Sequence, residues 1–236
     1  MRVAALSDIH GNLPALEAVL ADVRREGVDE VLVAGDTVSG PWPVEVFELL
    51  QAVHAQIVCG NADRLVLARG DGSLGAWCAD LLGSERLAAV GDWPLTLELE
   101  VGGLGQVLVC HSTPRSDDPI YTRITPDAEV IDLLKPLTAE TAVVGHTHIQ
   151  YDRRLSNGLR LVNPGSVGLP YEGRRGAFWA LLGPDVEFRH TEYDVDVAAA
   201  AIRELDSPVD ERLIGYLTHP LDPDAATAEF ESLRGA

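Results

Sequence analysis

What most constrains this chain is a series of short apolar runs that alternate with helical patterns. Residues 3–6, 31–34 and 56–59 each read as a strand. Between the first two, Leu16, Val19, Leu20 and Val23 recur at helical spacing. Asn12 stands as an N-cap, Pro14 near the first helical position, and Gly27 as the stop. Pro43 opens a second helical pattern that runs to about residue 53. Strands that lack polar alternation are buried on both faces, and β-α-β-α-β order brings them together in parallel under crossover helices. The second half reads differently. Residues 63–92 look helical with a break at 70–72, and residues 127–134 form a short helix. Residues 96–101 alternate apolar and polar, 106–110 and 141–144 are buried strands, and Asn157-Gly158 marks a hairpin between 151–155 and 159–162. A further hairpin joins 178–182 to 186–190, and a helix covers 195–205. The tail from Ser207 carries Pro208, Pro220 and Pro223 and ends in a short helix near 225–233. This pattern predicts an α/β (α+β) fold of two mixed sheets packed face to face with helices outside. The expected domain covers residues 1–206, with 207–236 as a peripheral helical extension packed on it.

Five of these runs end in the same kind of residue. Asp8-Ile9-His10 follows the first, Asp36 the second, Asn61 the third, His111 the run 106–110, and His146-Thr147-His148 the run 141–144. Open α/β sheets place their sites where strands end. Seven oxygen and imidazole donors suit two metal ions better than one. Asp, Asn and His without thiolate favour divalent Mn, Fe, Co, Ni or Zn, with manganese the first expectation. A paired-metal site of that kind serves the hydrolysis of phosphate esters. On an extended backbone, Asp8 and His10 would point to one side and share an ion. Gly35 lets the chain approach closely beside Asp36, whose carboxylate can bridge two ions. Asn61 adds a neutral oxygen.

Composition narrows the partners. The chain has 236 residues, 46% of them hydrophobic, and a net charge of −19. Its 18 basic residues include one lysine, Lys135. Such a surface repels a polyanion, so broad nucleic-acid binding is not expected, whereas a small phosphorylated substrate drawn to a local cationic pocket is. No apolar run approaches the ~18 residues of a membrane span. The N-terminus reads as a strand and not a signal peptide, and Cys59, Cys78 and Cys110 are isolated, as small buried hydrophobes in a reducing compartment would be. A cytoplasmic protein is expected, and assembly into homo-oligomers is left open. Two side chains are candidates for holding substrate. Arg115 suits a phosphate bidentately. Asn12, besides capping a helix, can donate to a phosphate oxygen. Tyr121, Arg123, Tyr171, Arg174 and Arg175 are weaker candidates, each read more readily as surface.

The motifs D-x-H at 8–10, G-D at 35–36, G-N at 60–61, the single His111 and G-H-x-H at 145–148 together resemble the calcineurin-like metallophosphoesterases. The segments D-I-H-G-N at 8–12 and N-P-G-S-V-G at 163–168 resemble the small bacterial and archaeal phosphodiesterase branch. The likeness spans residues 1 to about 190. It implies a four-layer αββα sandwich. It implies one metal on Asp8, His10, Asp36 and His148, and a second on Asp36, Asn61, His111 and His146. It also implies a phosphodiesterase acting through a hydroxide that bridges the metals, with Asp36, Asn61 and Asp63 as catalytic residues. One departure stands out. The third block is usually G-N-H-D or G-N-H-E, and here it is Gly60-Asn61-Ala62-Asp63. The missing His normally protonates the leaving oxygen, which points to phosphodiesters or activated esters as substrates. Asp63, left without that His to orient, is expected to hold a water or Arg64. The same departure admits a second reading, a non-catalytic metal-binding scaffold with this fold. The protein Ser/Thr phosphatase branch fits poorly, because the Asp-Arg pair it carries after G-D is absent from 35–40.

Overall fold

The computed structural model describes residues 1–70 and 73–234. One sheet has the order β10-β9-β1-β2-β3, built from Val186–Thr191, Ala177–Leu182, Val3–Leu6, Glu30–Val33 and Gln56–Ile57. The other has the order β4-β5-β6-β8-β7, from Thr96–Val101, Gly105–Cys110, Thr141–Val143, Arg160–Pro164 and Gln150–Arg154. Both are mixed. β1, β2 and β3 run parallel, as do β5, β6 and β8, while β9, β10, β4 and β7 pair antiparallel.

The period-2 alternation of each strand explains why the sheets stack. Val3 and Ala5 of β1 meet Val107, Val109, Val143 and Val162 between the two sheets. Ala4 and Leu6 face the other way, onto Leu16, Leu20 and Val23 of α1 (Leu13–Glu26) and Val46 and Leu50 of α2 (Pro43–Ala52). On the far side, Leu108, Ala142, Val144 and Leu161 pack against Val130 of α5 (Asp127–Leu133) and Leu134. The order helix, sheet, sheet, helix is the predicted four-layer sandwich. Asn12 caps α1, its side-chain oxygen accepting the Ala15 N–H, and Gly27 closes that helix in the left-handed region at φ 63°.

Three local expectations change. The predicted break after Gly70 involves Asp71 and Gly72, which lie outside the described residues. The helical region divides into α3 (Asn61–Leu67) and α4 (Ser73–Gly91), and α4 is itself interrupted at Gly83, whose φ of 69° and ψ of 171° are not helical. The third strand pairs over two residues, because Cys59 N–H leaves its neighbour to bond the Pro94 carbonyl. The tail also holds two helices. α8 (Pro223–Leu233) was expected, whereas α7 (Glu211–Thr218) was not, since Gly215 and the flanking prolines read as loop. α7 is not peripheral. Its Ile214 and Leu217 are buried against Leu169 and against Val195, Ala199 and Ile202 of α6 (Val195–Glu204).

Candidate metal centre

The strand ends bring all seven predicted ligands together. Asp8, His10, Asp36 and His148 offer ligand atoms within 4.8 Å of one another, and so do Asp36, His111 and His146. Asn61 completes the second group through its oxygen, 2.9 Å from His111 Nε2. Asp36 belongs to both groups.

The backbone delivers these side chains by a route the sequence did not suggest. Asp8, His10, Asp36, His146 and His148 all have left-handed backbones, with φ of 52°, 47°, 54°, 70° and 56°. The expected extended D-x-H segment is therefore a pair of left-handed residues. Asp and His are among the side chains that enter this region most readily, yet each such residue costs about 1–3 kcal/mol. The strain persists because packing beneath the loops determines it. A Cβ on Gly60 would lie 2.2 Å from the Asp36 carboxylate, and one on Gly35 would lie 2.6 Å from His111 Nδ1. Both motif glycines are needed where backbone meets ligand.

Hydrogen bonds behind the ligands set their chemistry. His111 Nδ1 donates to the Ala34 carbonyl at 2.8 Å, and His148 Nδ1 to the Leu169 carbonyl at 2.6 Å. A carbonyl only accepts, which assigns the proton to Nδ1 and leaves a lone pair on each Nε2. Those lone pairs converge on other electron-rich atoms. His148 Nε2 lies 3.2 Å from both His10 Nε2 and an Asp8 oxygen, and His111 Nε2 lies 3.2 Å from His146 Nδ1 and 3.4 Å from Asp36. The second nitrogen of His146 is buried without a partner. Acceptors crowded this closely need a cation among them, so the donor set fits divalent metal ions.

The protonation equilibria agree. Burial opposes a charge on His111, but the Asp36 carboxylate outweighs it and lifts the imidazole to about 10. The carboxylate's pull for positive charge at this ring is what a bound cation would satisfy. Burial also works against the Asp36 carboxylate, yet neighbouring His111 holds it far below the usual range. Burial and then His111 push His146 down to about 4, which keeps it neutral and ready to coordinate.

Residues outside the ligand set hold the loops. Asn163 donates to the Gly145 carbonyl at 2.6 Å, and Ser166 Oγ donates to the Asp8 carbonyl at 2.7 Å. The ring of Tyr171 stacks on His148, with centroids 4.9 Å apart and planes 13° apart, and Tyr171 in turn meets Tyr216 of α7 and Phe230 of α8. Nothing in the local sequence marks that link, because its parts come from three distant segments.

Several expectations for single residues are corrected. Asp63 does not pair with Arg64. Its carboxylate accepts the backbone N–H groups of Thr37, Val38 and Gly60, at 2.9, 2.9 and 3.1 Å. It therefore clamps the Asp36 loop to the Asn61 loop and is a positioning residue. Arg64 pairs instead with Asp117 and Asp118. Arg115 turns away and donates to the Asp132 and Leu133 carbonyls at the C-terminal end of α5, where a guanidinium suits the exposed helix-end carbonyls. The Asn12 amide is committed to the Gly168 carbonyl and the Tyr193 hydroxyl, and its oxygen to the helix cap, so it has no free donor directed at a phosphate. Arg123 and Arg175 are engaged elsewhere, with Asp224 and with Asp196.

The family model described as the calcineurin-like phosphoesterase superfamily domain matches residues 1–182. An uncharacterized protein of Methanocaldococcus jannaschii is 30% identical over 222 residues, covering 83% of this chain and 89% of that protein. The crystal structure of a metallophosphoesterase from Sphaerobacter thermophilus is similar with a TM-score of 0.75 and 29% identity, covering 93% of this chain and 98% of that one. A hypothetical protein from Pyrococcus horikoshii shares the fold with a TM-score of 0.80 and 24% identity, over 94% and 99% of the two chains. The ligand geometry and these likenesses together place the chain in the calcineurin-like phosphoesterase superfamily.

Proposed function

We propose that this protein is a cytoplasmic phosphoesterase that depends on two divalent ions, with manganese best suited, and hydrolyses phosphodiesters or activated phosphate esters. The observation that carries this reading is the sharing of Asp36 by two adjacent ligand groups. Asp8, His10, Asp36 and His148 would hold one ion, and Asp36, Asn61, His111 and His146 the other. A pair of such ions supplies an activated water near neutral pH and neutralises charge during in-line displacement at phosphorus.

The chain's own residues account for the rest. The ligand set contains two carboxylates, Asp8 and Asp36, and the neutral Asn61 stands where a third would add charge. Two dications against two carboxylates leave a local charge of about +2, so a phosphate is attracted although the molecule as a whole is strongly anionic. Asp63 fixes the spacing of the two loops that carry Asp36 and Asn61. Ala62 has no proton to give, so the ester oxygen leaves either as a stable anion or with a proton from water.

The test is an activity matrix of metals against phosphate esters, run on purified protein with metal analysis. Bis(p-nitrophenyl) phosphate should be hydrolysed with added manganese, and chelation should abolish this reversibly. Asp36→Asn should lower the bound metal below two per chain and the rate by about 10³-fold or more, as loss of several kcal/mol requires. Protein that binds no metal and turns over no ester would instead be a non-catalytic platform.

A further inference from the structure

A cavity of ≈ 220 Å³ opens directly beside the metal ligands, with His10 and Ala62 in its wall. Its remaining walls are mainly apolar. Leu169 and Ile202 form one side, and Val209, Leu213, Ile214 and Leu217 bring the tail over the other. No lysine or arginine lines it among the described residues. Of its polar side chains, His10 belongs to the metal ligands and Asn12 has its amide committed to Gly168 and Tyr193, which leaves the Ser39 hydroxyl.

We propose that this cavity is the specificity pocket for one ester group of the substrate, and that the group is compact and apolar, about the size of one aromatic ring. The inference rests on the phosphoesterase reading above and names its substrate class. Size argues for it, since an apolar cavity of about 150 Å³ already admits benzene. Position argues for it, because His10 and Ala62 both line the cavity, so an ester group of a phosphate held at His10 has this space beside it. Chemistry argues against the alternatives. A nucleoside polyphosphate would place further phosphates where no cation meets them, and a sugar would lose hydrogen bonds to water and recover few. With no acid at position 62, attack by water forms one P–O bond and breaks the ester P–O bond. The attacking water gives up a proton to solvent, and the electron pair departs on the ester oxygen, which for an aryl or enol group is a stable anion that takes a proton from solvent as it leaves.

Two phosphonates that resist hydrolysis test the pocket without relying on turnover. Calorimetric titration of the manganese-loaded full chain should show phenylphosphonate binding about ten- to hundredfold more tightly than methylphosphonate, as burial of one ring implies. Leu213→Asp, which places a carboxylate in the wall, should reduce that ratio to about threefold or less. A wild-type ratio near one overturns the proposal even where bis(p-nitrophenyl) phosphate is hydrolysed. A high ratio with no hydrolysis of any ester overturns the phosphoesterase reading and leaves the pocket standing. The wild-type ratio decides the matter if the variant does not fold.

Discussion

At the scale of single residues, two neighbours in one motif have opposite fates. Asp63 is fully buried, and burial followed by the Asp36 charge pushes its carboxyl up to about 7. It is retained in that unfavourable place because three backbone N–H groups have no other acceptor. Asp63→Ala should therefore destabilise the protein by roughly 3–5 kcal/mol in urea unfolding, since each orphaned buried donor costs about 1–3 kcal/mol. Asp63→Asn should recover part of this, its oxygen still serving Thr37 and Val38. If Asp63→Ala unfolds at the wild-type urea midpoint, the clamp is not structural. Ala62 beside it supports nothing comparable and borders the cavity. Ala62→His introduces a proton donor there and should raise turnover of alkyl esters by about 10²-fold, as general acid catalysis does, while leaving p-nitrophenyl esters nearly unchanged. Equal effects on both ester types would remove the missing acid from the account. The sequence marked position 62 as unusual. It could not show what Asp63 holds, because two of the three donors, Thr37 and Val38, come from a loop about 25 residues away.

At the scale of elements, the tail changes role most. Residues 207–234 look like an appendage in sequence, with prolines, mixed polarity and a glycine in mid-helix. In the fold, α7 covers the metal-side cavity, and with α8 it braces Tyr171 against His148. Ile214 is 2% exposed. Ile214→Ala should cost about 2–5 kcal/mol of stability, as truncation of a buried isoleucine does. It should also weaken phenylphosphonate binding more than methylphosphonate binding. A variant as stable as the wild type would mean that α7 packs loosely. The strands, by contrast, were legible almost to the residue. The central strands such as Val3–Leu6, Thr141–Val143 and Ala177–Leu182 are buried on both faces and leave apolar runs, whereas the edge strands show in their alternation or in hairpin turns.

At the scale of the whole molecule, charge dominates. A net charge of −19 sets most surface groups against one another, and salt screens that repulsion. Thermal unfolding should therefore shift upward by several degrees between ~10 mM and ~500 mM sodium chloride, with a Debye length falling from about 30 Å to a few ångströms. A falling midpoint would show that ion pairs such as Arg160 with Asp152 and Asp185 outweigh the repulsion. The metal centre is the counterpoint to this surface. It gathers two carboxylates and four imidazoles at the edge of both sheets, where dications, once bound, would reverse the local sign.

The sequence alone determined the two sheets, their parallel cores and which donor residues gather at one place, because those depend on local periodicity and on residue type at strand ends. Tertiary structure decided everything that depends on approach. It turned five of the ligand backbones left-handed and packed Gly35 and Gly60 against His111 and Asp36. It turned Arg115 away from the site, onto the helix-end carbonyls of α5. It also brought α7, more than 150 residues from Ala62 in sequence, to the wall of the same cavity. Side chains that meet only when distant segments pack leave no pattern along the chain. The metal cage could therefore be read from its motifs, whereas the pocket beside it could not.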